Sequence, residues 1–299
     1  MRIKKMSKKH KMVNSAIVAI KNNKDGAYRT QNDRRTALVD MAKTLYNLGY
    51  KLDHLRYMKP KHIEALVQHW KANGDTAGSM KNRMSHIRWL MRKFDGKIHM
   101  VPSNDNLGIP KRVYVTNEDK SRTLNETDLN KIQDPLMRHS LKGQELFGLR
   151  VETSLKIQPY VADAGQYLFI KKGWAKGSKE GMIPILTQEQ RDWLEEAKQL
   201  VKSKTNSLIP PNLTYIKHRR NFETKAKEAG ICHMHGHRHL YAQRRYKELT
   251  GWEAPVKGGL TRSEMTKEQK WQDHAVRLQI SLEMLHQRKN VLNTYLGKK

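Results

Sequence analysis

Apolar residues recur every three or four positions through the first third of the chain, the spacing of one buried helix face. Leu38, Met41, Leu45 and Leu48 set the first stripe, from about Thr36, and Gly49 closes it. Pro60 suits a first helical turn, because its missing N–H has no partner there in any case. Ile63, Leu66, Val67 and Trp70 form the stripe that follows, ending at Gly74. Met80, Met84, Ile87, Met91 and Phe94 form a third stripe, with Lys81, Arg83, Arg88, Arg92 and Lys93 largely off it. The pattern predicts a small helical bundle over residues 30–110 with a basic outer face. Before it, residues 1–29 open on Lys4, Lys5, Lys8, Lys9 and Lys11 with no uninterrupted apolar core. They read as a flexible basic arm rather than a signal peptide.

Periodicity breaks over 101–122, where Pro102, Asn104, Asp105, Asn106, Gly108 and Pro110 are turn formers and Lys111, Arg112 and Lys120 keep the stretch charged. A linker is expected at 111–121, with a second domain over 122–299. That domain has a mixed pattern. Asn125 with Asp128 can cap a short helix. Tyr167–Ile170 and Met182–Leu186 are β-favouring runs separated by Lys- and Gly-rich residues. They predict a hairpin whose return strand is an edge, since Pro184 cannot donate to a ladder. Thr187 and Gln190 have capping-box spacing, ahead of a helix burying Trp193, Leu194, Ala197, Leu200 and Val201. A further helix is expected from about Asn212 to Ala229, and the remainder is helical apart from a loop near 251–259. The fold class expected is mainly α with a small antiparallel β-sheet.

Charge changes the picture. The chain has 299 residues with 58 Lys and Arg against 29 Asp and Glu, a formal net charge of +29. Both parts carry the excess: +16 over residues 1–120 and +13 over the rest. Such self-repulsion is relieved by a polyanion, and each cation near a phosphate releases a condensed counterion. Nucleic acid is the partner class implied, gripped by two basic domains. One cysteine, Cys232, leaves no internal disulfide framework and no zinc ribbon. No apolar run approaches the length of a membrane span. A reducing cytosol fits, with no membrane partner.

Four separated pieces carry candidate chemistry: Gly148-Leu149-Arg150; Lys176-Gly177-Ser178-Lys179 in the expected hairpin turn; His235-Gly236-His237-Arg238-His239; and His286 with Tyr295 nine residues later. A Gly-Leu-Arg tripeptide is common by chance, and H-x-x-R-H is moderately specific. All four in this order, ending on the tyrosine, resemble the tyrosine recombinases of the phage-integrase superfamily from about Thr123 to Tyr295. Residues 30–110 resemble, more weakly, the helical core-binding domain of such enzymes. The Leu285-His286 and Asn293-Thr294-Tyr295-Leu296-Gly297 ending is most similar to prophage and integrative-element integrases of proteobacteria.

The resemblance implies a site-specific recombinase that integrates or excises a mobile element. It would act on double-stranded DNA as a homotetramer through a Holliday junction, and be a monomer or weak oligomer when free. No cofactor is expected. The chemistry accounts for the residue types. A phosphodiester repels nucleophiles, and its transition state concentrates charge on the non-bridging oxygens. Arg150 and Arg238 would clamp them, since a guanidinium is always charged and donates in a planar fork. Tyr295 would attack phosphorus and hold the 3′ end. A phenol has pKa about 10, so a base is needed nearby, and His235 is the candidate. Lys176 would protonate the leaving 5′ oxygen, with Lys171, Lys172 and Lys179 close by in sequence. His239 and His286 would support the phosphate by hydrogen bonding. Lys81, Arg83, Arg88, Arg92, Arg244 and Arg245 are candidate DNA-backbone contacts.

Each piece also has a plainer reading. Arg150 alone would be a surface arginine, Tyr295 alone an aromatic anchor, and a basic helix face merely solvated. Alternating His233, His235, His237 and His239 can chelate, but a structural zinc usually takes four ligands, often thiolates, and only Cys232 is near. No metal is expected. A DNA-binding accessory protein derived from an inactive integrase, and an RNA-binding protein, share the charge but not the catalytic set. Four departures from the resembled pattern stand out. Thr153 sits where a glutamate is usual, with Glu152 the nearest carboxylate. His237 replaces an apolar residue. Leu285 stands where glycine is expected. A long segment, about 250–280, separates the last two boxes. Only Leu296, Gly297, Lys298 and Lys299 follow Tyr295, too few to donate a helix to a neighbour.

Overall fold

A computed structural model describes residues 6–175, 177, 179–286 and 288–298. The chain divides into two compact units, Met1–Val113 and Tyr114–Lys299.

The first unit is helical. It comprises α1 (Lys8–Asn22), α2 (Tyr28–Asn47), α3 (Pro60–Ala72) and α4 (Ala77–Lys93). The three stripes read from the sequence are its core: Leu38, Met41 and Leu45; Ile63, Leu66, Val67 and Trp70; Met80, Met84, Ile87 and Met91. Leu48 is the exception and is exposed. Each fully buried side chain of this size contributes roughly 1.5–3 kcal/mol. The flexible arm expected over 1–29 is corrected. Residues 8–22 form a helix, capped where Ser7 accepts from His10 N, and it buries Met12, Ala16, Ala19 and Ile20 against the same core. Lysines on its outer face hide that stripe in the sequence.

The second unit is mainly helical with one small sheet. Helices α5 (Glu126–Asn130), α6 (Pro135–Phe147), α7 (Val151–Lys156) and α8 (Pro159–Ala162) lead into β1 (Asp163–Ala164), β2 (Tyr167–Ile170) and β3 (Gly181–Pro184). The sheet is antiparallel in the order β1-β2-β3, pairing Leu168 with Ile183 and Ile170 with Gly181. The hairpin and its Pro184-bearing edge strand match the expectation. The two-residue β1 has too little sequence to carry a pattern. Then come α9 (Gln188–Leu200), α10 (Tyr215–Glu228), α11 (Gly236–Thr250), α12 (Lys267–Glu283) and α13 (Asn293–Leu296). Both ends of the Thr187–Gln190 capping box are present at α9. Trp193, Leu194 and Ala197 are buried, whereas Leu200 and Val201 are half-buried.

The unusual 250–280 segment is a loop followed by most of α12. That helix starts at a second capping box, Thr266 with Gln269, and buries Val276 and Ile280. Among the described residues, no helix is long and apolar enough to cross a membrane.

Candidate active site

Three features of local backbone assemble the site. The first is Gly148, which ends α6 in the left-handed region (φ 58°). Its missing Cβ is required, because one would lie 2.8 Å from the Tyr241 ring of α11. This turn delivers Arg150 to the start of α7 and aims the Gly148 carbonyl at Arg238, which donates to it. The second is the start of α11. His235 precedes its first turn, so Arg238 and His239 stand one turn above it. The third is the C-terminal end of α12. His286 N donates to Ser281 O at 2.7 Å and Leu285 N to Leu282 O at 2.8 Å. These bonds form a Schellman cap with Leu285 as the left-handed residue (φ 57°). That backbone is the reason glycine is expected there, and a leucine in it costs roughly 1–2 kcal/mol. The cap places His286.

Tyr295 lies on α13, which is held from several directions. Arg277 donates to Asn293 Oδ1 at 3.2 Å and Gly297 O at 3.1 Å. Gln243 Nε2 donates to the Tyr295 carbonyl at 3.2 Å and to Asp119 Oδ1 at 2.9 Å. Lys298 N donates to Asn117 Oδ1 at 2.8 Å. Leu292 and Leu296 are fully buried.

The result gathers five of the side chains singled out from the sequence. The Tyr295 hydroxyl is 3.3 Å from His235 Nε2 and 3.4 Å from His286 Nε2. Arg238 reaches His286 Nε2 at 3.2 Å and Arg150 reaches its Nδ1 at 3.4 Å. Arg238 is buried and also donates to Met284 O at 3.1 Å. A neutral imidazole offers one acceptor nitrogen, so His286 matches only one guanidinium at a time. Among the described residues, neither Arg150 nor Arg238 has a carboxylate ion pair. Arg238 Nε is buried without a partner.

This uncompensated charge shifts its neighbours. Burial, then the Arg238 charge, pushes Arg150 down to about 10. Burial and both guanidinium charges push His286 down to about 3 and His235 to about 4. His235 keeps an exposed face. His239 is lowered to about 4, by burial first and then by His235. All three histidines are neutral at pH 7. His239 is buried with its ring 4.7 Å from that of Tyr295, so it is a wall against the phenol face. His237 turns away and pairs through Nδ1 with Arg122 O at 2.9 Å. Among the described residues, no group of three or more His, Cys, Asp or Glu is arranged to hold a metal.

The candidate DNA-backbone contacts differ in their partners within the fold. Arg245 is a scaffold residue: its side chain is buried against Glu283, with Nε 3.1 Å from Oε2. Glu283 also accepts from Tyr241 OH at 3.0 Å. Arg83 pairs with Asp75 and lies over the Trp70 ring, and Arg88 donates to Pro102 O and Asn104 Oδ1. These three guanidinium groups are spent within the fold. Arg244 is half-exposed and 3.3 Å from Glu145, Arg92 is exposed and Lys81 half-buried. Thr153 is buried, and Glu152 pairs with Lys156 at 2.6 Å rather than with a site arginine. Lys176 lies outside the described residues. Gln243, Asp119 and Glu283 were not expected from the sequence. Their partners lie far along the chain, and no local spacing marks them.

Comparison with known proteins bears on the fold. Residues 6–101 match the family model described as phage integrase, N-terminal. No curated protein is significantly similar in sequence. Among solved structures, the chain resembles a lambda integrase dimer bound to a COC′ core site, at 15% identity and TM-score 0.60, covering 94% of this chain and 76% of that one. It resembles the Tn1549 transposon integrase in complex with circular intermediate DNA, at 11% identity and TM-score 0.55, covering 99% and 96%. It also resembles the XerH site-specific recombinase bound to difH substrate, at 14% identity and TM-score 0.53, covering 95% and 81%. The chain shares the fold of these integrase and recombinase structures, a helical first unit followed by a mainly helical second unit with a small antiparallel sheet.

Proposed function

We propose that this chain is a site-specific DNA recombinase that cuts and rejoins strands through a covalent link to Tyr295, in the integration or excision of a mobile element. The observation carrying the reading is the Tyr295 hydroxyl set between two neutral histidines, beside two arginines that no carboxylate neutralises among the described residues. That is a seat for one phosphodiester. Arg150 and Arg238 hold its non-bridging oxygens, and their charge is worth most in the pentacoordinate transition state. His235 accepts the phenolic proton as the Tyr295 Oη–P bond forms and the P–O5′ bond breaks. Lys176 gives the departing O5′ its proton. His286 accepts from one arginine and supports the phosphate through its other ring nitrogen, and His239 fixes the phenol ring. The phosphotyrosine keeps the ester's free energy, so a 5′ hydroxyl from another strand reverses the step without a nucleotide cofactor.

Double-stranded DNA is the partner, with Lys81, Arg92 and Arg244 as backbone contacts, and four copies act together on two sites. Tyr295→Phe should bind duplex DNA with unchanged affinity and form no covalent adduct on a nicked duplex carrying the element's own ends. An adduct formed by the phenylalanine variant, or none formed by the wild type, refutes the reading.

A further inference from the structure

We infer that residues 117–122, the stretch through which the chain enters the second unit, form a strap that seats the nucleophile, with Asn117 and Asp119 as its positioning residues; this rests on the function proposed above. The sequence reads 111–121 as a linker, and a mere linker needs no specific bonds. These residues make several. Asn117 takes a left-handed backbone (φ 54°), which asparagine tolerates better than most side chains. From there its Oδ1 accepts from Lys298 N at 2.8 Å, just past the nucleophile's helix. Asp119 Oδ1 accepts from Gln243 Nε2 at 2.9 Å, and the same amide nitrogen donates to the Tyr295 carbonyl at 3.2 Å. Ser121 N and Oγ donate to Oδ1 and Oδ2 of Asp119, at 2.9 Å and 3.0 Å, and fix that carboxylate. The strap therefore holds α13 directly behind Tyr295 and, through Gln243, at Tyr295 itself.

The other end of the strap is fixed to the turn that carries the candidate base. Arg122 N donates to Gly236 O at 3.2 Å, and Arg122 O pairs with His237 Nδ1 at 2.9 Å. A Cβ built on Gly236 would lie 2.5 Å from Arg122 Cγ and 2.8 Å from the Lys120 carbonyl oxygen, so the strap crosses this turn too closely for a side chain there. Gly236 directly follows His235, whose Nε2 is 3.3 Å from the Tyr295 hydroxyl. Helix α13 is a single turn of four residues, Asn293–Leu296. So short a helix has little stability of its own, and its place is set by what it is tied to. One stretch of chain thus ties the turn before α11 to the helix bearing the phenol and registers nucleophile against base.

A positioning role costs rate and spares binding. The experiment is single-turnover adduct formation by the full chain on the nicked duplex, with duplex affinity measured alongside, for the wild type, N117G, N117D, D119A, D119N, Q243A and the D119A Q243A double variant. Glycine adopts the left-handed backbone of Asn117 freely, so N117G removes the acceptor and leaves the chain path. N117G and D119A should each slow the adduct by about tenfold, the scale of a displacement well under 1 Å, with affinity within about twofold of wild type. N117D and D119N keep an acceptor oxygen and should return to within about threefold of the wild-type rate. D119A should cost less than about twofold once Gln243 is alanine, because Asp119 acts on Tyr295 through that amide. The inference is overturned if N117G or D119A keeps the wild-type rate, or if affinity falls as much as rate does. It is also overturned if the conservative variants recover nothing, or if the D119A and Q243A effects multiply. Each of these outcomes, with Tyr295→Phe forming no adduct, removes the strap and leaves the Tyr295 reading standing. A Tyr295→Phe variant that still forms adduct removes both.

Discussion

Replacing Arg150 with Met should stabilise the free protein while crippling it as an enzyme. The side chain's pKa falls from the usual guanidinium range to about 10, through burial and then the nearby Arg238 charge. Each tenfold in proton affinity is about 1.4 kcal/mol, so keeping this guanidinium charged costs the fold on the order of 3 kcal/mol before screening. Partial exposure brings that to about 1–2 kcal/mol. The sign is set by pH. At neutral pH the arginine is charged in both folded and unfolded chains, so the whole penalty is present and fades only as pH rises past about 10. Little compensating interaction is lost, since its contact with His286 Nδ1 is long at 3.4 Å. Methionine keeps much of the apolar stem and deletes the charge. For a domain of this size about 1 kcal/mol moves Tm by roughly 2–4 °C, so the variant should melt about 2–8 °C higher without DNA. Adduct formation on a nicked duplex should fall by about 10²-fold or more, the loss typical of an electrostatic donor aimed at developing charge. Differential scanning calorimetry and an adduct gel measure the two quantities. A variant that melts below the wild type refutes the idea that Arg150 is held against repulsion for its work on an anion.

Glu283→Ala takes from Arg245 its buried partner and leaves it only the exposed Glu248, with Tyr241 OH also losing its acceptor; urea unfolding should show a loss of about 2–4 kcal/mol. Gln243→Ala removes the bond to the Tyr295 carbonyl and the tie to Asp119. Single-turnover cleavage should fall about tenfold or more, with duplex affinity changed less than about twofold in a binding titration. His286 and His235 are held neutral, down to about 3 and about 4, so their stabilising contribution is fully present above about pH 6.5 and is lost as pH falls toward 4. Melting followed from pH 7 to pH 4 should decline less steeply in His286→Asn than in the wild type, and parallel curves would contradict this.

The helices of the first unit were legible because Leu38, Ile63, Met84 and their neighbours are large, apolar and periodic. The first helix was not, because Ala16 and Ala19 carry little hydrophobic signal between lysines, and packing rather than propensity makes that segment helical. The five gathered site residues were legible as a set because their chemistry restricts the residue types, although no short-range pattern links them. What surrounds them was not legible. A helical wheel places Arg83, Arg88 and Arg245 off the apolar stripe, yet cannot show that Asp75, Pro102 and Glu283 meet them. Gln243 and Asp119 lie 124 residues apart, and only the closed fold makes them neighbours. Leu285 was legible as a departure, and its physical meaning required the left-handed backbone and the bare Gly181 beneath it.

The unneutralised arginines and the depressed histidines are two faces of one arrangement. Burial, and then positive charge from Arg238 and Arg150, lowers the proton affinity of His235 and His286. A base held at about 4 is a poor acceptor for a phenolic proton. On the function proposed above, a phosphodiester entering between the guanidinium groups would bring the opposite charge to within hydrogen-bonding distance and offset the share of the shift that the arginines cause. His235 would then become more basic as a target for Tyr295 arrives. The substrate would thereby strengthen the base that activates the nucleophile, while the free protein keeps a weak base beside a buried phenol. A carboxylate placed in the site to relieve Arg150 would stabilise the fold, raise the histidines permanently and compete with the phosphate, so the same change would remove both the binding site and its dependence on substrate.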